Sequence, residues 1–183
     1  MRSQNTQQQQ KKSNIPPKTA RAADGDAKVS QKRGEPSAAM IEDLNTLLAD
    51  QWIMLMKSLN YHWNIEGIQF REIHKLLEDM YEEVFESIDQ IAERVRALGG
   101  RPLGAIGAIP ENARLKDATG TKRQANEMLQ DLLNDLEALN RTLREGIKRC
   151  EDETEDYGTC DLMTDLLRGN EKQAWMLRAS IQQ

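Results

Sequence analysis

FREIHKLLEDMYEEVFESIDQIAERVRALGG, residues 70–100, is the stretch whose reading decides the fold. Its apolar residues Ile73, Leu76, Leu77, Met80, Val84, Ile88, Ile91, Val95 and Leu98 recur every three or four positions. That spacing predicts one amphipathic helix over 70–98, and the Gly99–Gly100 pair closes it as a C-terminal cap. A second strip runs beside the apolar one. His74, Glu78, Asp89 and Glu93 fall at about 0°, 40°, 60° and 100° around the axis. The chain has only two histidines, and the other, His62, stands twelve residues before His74. Imidazole plus carboxylates on one helix face is a ligand set for iron, zinc or manganese. The same residues also read as packed histidines beside solvated carboxylates.

Three further helices extend the pattern. The first is expected over 37–64, entered at Pro36–Ser37, with Ile41, Leu44, Leu48, Leu55 and Leu59 inward. NIEGIQ, with Gly67, interrupts it. Residues 101–120 are a long connection with room for one short helix. Gly104 and Gly107 within it form no phosphate loop, because no strand precedes them. The third long helix is expected over 122–151, with a Thr121–Gln124 capping box and Leu129, Leu132, Leu133, Leu136, Leu139, Leu143 and Ile147 inward. An acidic loop follows. The last helix is expected over 160–181, with Leu162, Leu166, Leu167, Ala174, Leu177 and Ile181 inward. The fold expected is all-α: a ferritin-like four-helix bundle over 37–183, with a long crossover between its second and third helices that lets them run parallel.

Composition agrees. Aromatics are 4% of 183 residues, with 11 Gly and 5 Pro, as in a helical soluble domain. No run of 18 apolar residues exists, so no membrane span is expected, and no secretory signal pattern opens the sequence. Cys150 and Cys160 form no CxxC pair and read as reduced thiols of a cytoplasmic protein. Charge is uneven. Residues 1–35 carry eight Lys/Arg against three Asp/Glu, a net +5; the chain totals −5, so the remainder carries −10. Residues 1–36, rich in Gln and small residues, are expected to be a disordered basic tail. The stretch before Asp24 is basic and acid-free, as in organelle transit peptides, but its Gln content and lack of an apolar face argue against that reading.

Spacing constrains the candidate metal site. Glu78 and Asp89 lie eleven residues, or about 16 Å, apart along a helix. Metal–ligand bonds are roughly 2 Å, so the strip must divide into two half-sites, His74/Glu78 and Asp89/Glu93. Two antiparallel copies of this helix, related by a two-fold axis, would bring each half against the other. The Glu-x-x-His pair of single-chain di-iron bundles is absent: Arg71 precedes His74 by three, and Leu59 precedes His62 by three.

The motifs H-W-N at 62–64, F-x-x-x-H-x-x-x-E at 70–78 and D-x-x-A-E-R-x-R-x-L-G-G at 89–100, with EKQAWMLRA at 171–179, resemble the Dps family, the DNA-binding mini-ferritins of starved cells. The resemblance covers about residues 37–181. It implies a dodecameric shell with dinuclear iron ferroxidase centres on the dimer two-folds. Each would take His62, His74 and Glu78 from one subunit and Asp89 and Glu93 from its mate, with zinc as a surrogate metal. The family usually has Asp where this chain has Glu78. It further implies oxidation of Fe(II), by hydrogen peroxide rather than dioxygen, and storage of ferric mineral in the cavity. Trp63 and Trp175 match tryptophans near the centre; they read equally as electron donors or as packing. Asp156, Asp161 and Asp165, in the densest acidic stretch, are candidates for an iron-entry pore; a solvated loop and helix cap is the alternative.

The tail has an electrostatic reading of its own. Twelve copies of a +5 segment would surround the shell with about +60 of charge and bind DNA without sequence preference. Lys11, Lys12, Lys18, Arg21, Lys28, Lys32 and Arg33 would pair with the phosphates, in a nucleoid-associated protein whose main task could equally be coating DNA. A tail that only aids solubility or assembly is the alternative.

Overall fold

The computed structural model describes residues 38–118 and 124–181, and all regular structure among them is helical. Helix α1 spans Ala38–Asn64 and α2 spans Phe70–Ala97. A 3-10 turn at Ile106–Ala108 runs into the one-turn helix α3, Ile109–Asn112. Helix α4 spans Ala125–Arg149 and α5 spans Tyr157–Ser180.

Ion pairs fix the helix directions. Arg149 meets Asp43 at 2.7 Å and Lys57 meets Asp131 at 3.1 Å, so α4 runs antiparallel to α1. Gln173 donates to Glu83 at 2.5 Å and Arg94 pairs with Asp156, so α5 runs antiparallel to α2. The five-residue link between α1 and α2 makes those two antiparallel as well. Helices α2 and α4 are therefore parallel, and the chain must travel the length of the bundle between them. This is the expected ferritin-like topology.

The turn into that crossover depends on both glycines. Gly99 has φ 81, a left-handed conformation that costs glycine little. Its N–H bonds to Arg96 O and that of Gly100 to Val95 O, each at 2.9 Å, which is the Schellman pattern. A Cβ on Gly100 would lie 2.7 Å from Ile41 Cγ2, so only glycine lets the chain pass this close to α1.

Two polar residues of α1 then hold the crossover. Asn45 accepts from Leu103 N–H at 2.7 Å and donates to Arg101 O at 3.1 Å. Asp50, 1% exposed, accepts from the backbone N–H groups of Arg114 at 2.7 Å and Leu115 at 3.0 Å. It also pairs with the Arg114 guanidinium at 2.6 Å. Replacing Asp50 by Ala strands those donors. Hydrogen bonds to charged groups are worth about 1.5–3 kcal/mol, so a loss of about 2–3 kcal/mol is expected in urea denaturation; a loss under about 0.5 kcal/mol would show that Asp50 does not hold the crossover.

The core is mainly leucine: Leu44, Leu48, Leu77, Leu129, Leu132, Leu136 and Leu143 are at most 1% exposed. Helix ends differ from expectation in three places. Helix α4 begins at Ala125, where Glu127 accepts from the Gln124 N–H at 2.8 Å; the expected cap residue Thr121 lies outside the described residues. The expected acidic loop is in part a π-helical turn, Cys150–Thr154, ended by Glu155 at φ 51. Helix α5 starts three residues earlier than expected, because Asp156 caps it through the Thr159 N–H at 3.1 Å. Among the described residues no helix is long and apolar enough to cross a membrane.

Candidate metal centre

His62 lies in the last turn of α1 and His74 in the second turn of α2. The short link folds them onto each other, with ring centroids 3.6 Å apart and planes 21° from parallel. His62 Nδ1 lies 2.9 Å from the carbonyl of His74, and His74 Nδ1 lies 2.9 Å from the carbonyl of His62. A carbonyl can only accept, so in each ring Nδ1 carries the proton and donates. Nε2 is thereby left as the nitrogen of each ring that can meet a ligand, the arrangement that orients metal-binding histidines. Tyr81 stands edge-on to His62 with centroids 5.2 Å apart, and Phe70 lies 4.9 Å from His74. Phe70 opens the F-x-x-x-H motif, whereas motif reading missed Tyr81. Tyr81 stands two turns after His74 on α2, a spacing that could have marked it.

Glu78 follows one turn after His74, partly exposed and within electrostatic reach of His62. A 2.8 Å pair with Lys75 holds its carboxyl below the usual carboxylate range, so it is ionised at neutral pH. Lys75 also pairs with Asp79 at 2.7 Å; sequence reading did not single out this lysine. Imidazole nitrogens and a carboxylate are donor types that divalent iron and zinc take.

The structure brings His62 and His74 together, with Glu78 nearby. It does not bring Asp89 and Glu93 to them: both lie further along α2, exposed on its surface. Among the described residues no three His, Cys, Asp or Glu side chains converge to hold an ion within one chain. Trp63 and Trp175 are each 64% exposed, so neither packs in the protomer core. Asp156 is engaged by Arg94 and by the Thr159 hydroxyl at 2.5 Å, besides capping α5. Asp161 and Asp165 are exposed one turn apart, and Asp165 pairs with Arg168. The tail residues Lys11, Lys12, Lys18, Arg21, Lys28, Lys32 and Arg33 lie outside the described residues.

The four-helix bundle with its long crossover is the ferritin-like architecture, and the family model for the ferritin-like domain matches residues 41–183. A low temperature-induced protein of Nostoc sp. is 43% identical over 148 residues, 81% of this chain and 83% of that one. The DNA protection during starvation protein of Brevibacillus brevis is 35% identical over 139 residues, covering 76% and 92%. The chain belongs to the Dps family. Its fold superposes with TM-score 0.74 on the Dps protein of Vibrio cholerae O1, described as a ferritin-like diiron-carboxylate protein. That protein is 33% identical, with 79% and 89% of the two chains covered.

Proposed function

We propose that this chain is a ferroxidase subunit whose iron centre forms between two copies. His62, His74 and Glu78 of one protomer bind Fe(II) together with the partner's Asp89 and the partner's Glu93. The observation that carries this reading is the locked imidazole pair, which leaves two Nε2 atoms for a ligand while no third His, Cys, Asp or Glu among the described residues completes a site within the chain. Exposed Asp89 and Glu93, one turn apart on the same helix, supply the carboxylates a two-fold partner would need.

The chemistry follows from the ligands. Carboxylates stabilise the harder Fe(III) over Fe(II) and so favour oxidation. Two irons held close together can deliver two electrons to one hydrogen peroxide, which yields no hydroxyl radical. Two neutral nitrogen ligands keep affinity low enough for iron, a substrate here, to move on to storage as ferric mineral in a dodecameric cavity. Of the three acidic candidates, Asp161 is the carboxylate best placed to draw Fe(II) in, since it is exposed where Asp156 is engaged by Arg94 and Asp165 by Arg168. Stopped-flow absorbance after peroxide is added to anaerobic Fe(II)-loaded protein tests the reading. Slow oxidation at the rate of free Fe(II) would overturn it.

DNA protection would have a second component in the +5 tail. Removing residues 1–35 is expected to abolish DNA retardation in a gel shift at low salt while leaving iron oxidation unchanged. The slope of log affinity against log salt should shrink by about 0.9 for every phosphate the protein no longer neutralises. Equal retardation by full-length and truncated protein, or none by either, would discard the role of the tail.

A further inference from the structure

The carboxylate beside the histidine pair already has a cation. Glu78 Oε2 lies 2.8 Å from the ammonium of Lys75, and the same ammonium lies 2.7 Å from Asp79 Oδ1. The three residues stand at i, i+3 and i+4 on α2, the spacing at which helical side chains meet. One cation is therefore shared by two carboxylates, and only Glu78 belongs to the proposed centre. Their side chains are 60%, 35% and 49% exposed, so none is locked in the core and the ammonium can pass from one carboxylate to the other.

This sharing bears on metal binding. A carboxylate oxygen engaged by an ammonium is not free for a second cation. A divalent ion arriving at His62 and His74 must draw Glu78 away from Lys75. Asp79 makes that displacement mild, because the ammonium keeps a carboxylate when Glu78 leaves. The order along the helix weakens the pair further. Lysine before its acid is the poorer of the two orientations, since each charge then lies toward the helix end of its own sign. Such a pair competes with a metal ion without excluding it.

We propose that Lys75 is a latch on Glu78: it holds the carboxylate in the metal-free centre, moves onto Asp79 when a divalent cation binds, and so lowers the affinity of the centre for that cation. The latch rests on the reading of Glu78 as a ligand given above. Lys75 is a positioning residue, acting through Glu78 rather than on the ion. Its return to Glu78 stabilises the freed carboxylate as the ion departs, which suits a centre whose iron moves on to storage.

The test is a double-mutant cycle read by anaerobic Co(II) titration of the metal-free full-length protein, followed in the visible absorption of the bound ion. Lys75→Met is expected to tighten Co(II) binding by about three- to fivefold, the scale of an exposed ion pair. Lys75→Arg keeps a cation in place and should bind Co(II) as the wild type does. Glu78→Gln should weaken binding, and adding Lys75→Met to it should change nothing further, because no carboxylate is left to release. In peroxide-driven oxidation, Lys75→Met should lower KM for Fe(II) without raising kcat. If Lys75→Met binds Co(II) like the wild type while Glu78→Gln binds it more weakly, the latch is overturned and the ligand assignment stands. Equal tightening by Lys75→Met with and without the Glu78 carboxylate would make Lys75 a distant charge and overturn the latch as well. Glu78→Gln binding Co(II) as tightly as the wild type would remove Glu78 from the centre, and the ligand assignment and the latch would fall together.

Discussion

Combining His62→Ala with Asp89→Ala is expected to slow peroxide-driven Fe(II) oxidation by more than about 100-fold, since outer-shell losses alone reach that scale. His62 loss removes one locked imidazole, and Asp89 loss removes a carboxylate of the other half-site. Every composite centre then lacks a ligand from each side. Mass photometry on the same sample should show the assembly intact, because Asp89 is exposed and His62 is one ring at a helix end. The two single variants offer a sharper discrimination. Each alone should be slow, since each damages every centre. In a mixed dimer both lesions fall in one of the two centres, and the other is whole. Random co-assembly should therefore restore about a quarter of the centres, by the arithmetic of a two-fold interface. A site inside one chain would gain nothing from mixing. Full activity in the double variant would refute the ligand assignment.

Replacing Lys57 by Met is expected to cost about 3–5 kcal/mol, the range for removing one partner of a buried ion pair. Lys57 is 3% exposed and is shared between Asp131, at 3.1 Å, and Asp135, which is closer still. Asp131 keeps the Tyr61 hydroxyl at 2.6 Å. The ammonium of Lys57 is the side-chain donor that Asp135 depends on. Burial already raises the Asp135 carboxyl above its ordinary 3.8. A carboxyl raised on folding binds more protons in the native than in the unfolded state. Stability therefore falls as pH climbs from the ordinary carboxylate value through the raised one. Removing Lys57 raises that carboxyl further, so the deficit should be largest at neutral pH and shrink toward about pH 4. Denaturant melts at several pH values, at fixed protein concentration, check both features. A cost under about 1 kcal/mol, or one constant with pH, would remove Lys57 from its role.

Much of this architecture can be read from periodicity, and the reasons are specific. Helices α1 and α2 are expected over 37–64 and 70–98 and occupy 38–64 and 70–97, because long stripes bounded by Gly67 and Gly99 leave little freedom. The start of α5 is less legible, since Gly158 and Thr159 read as loop until Asp156 is seen to cap them. The histidine pair is legible as a polar strip. Its stacking and its carbonyl partners are not, because main-chain acceptors have no letter in a sequence. Lys57 and Asp50, charges on a buried stripe of α1, signal partners without identifying them; periodicity within one helix says nothing about Asp135 or Arg114 elsewhere in the chain.

The bond from His74 Nδ1 to the His62 carbonyl has a further consequence. That carbonyl belongs to the final turn of α1, where main-chain oxygens have no N–H ahead of them in the helix. His74 thus serves as a cap for α1 while its other nitrogen remains open. The helix terminus beside it carries roughly half a negative charge in its aligned peptide dipoles. This standing field holds no proton to gain or lose, so its pull on a cation persists through acidification that would neutralise a carboxylate.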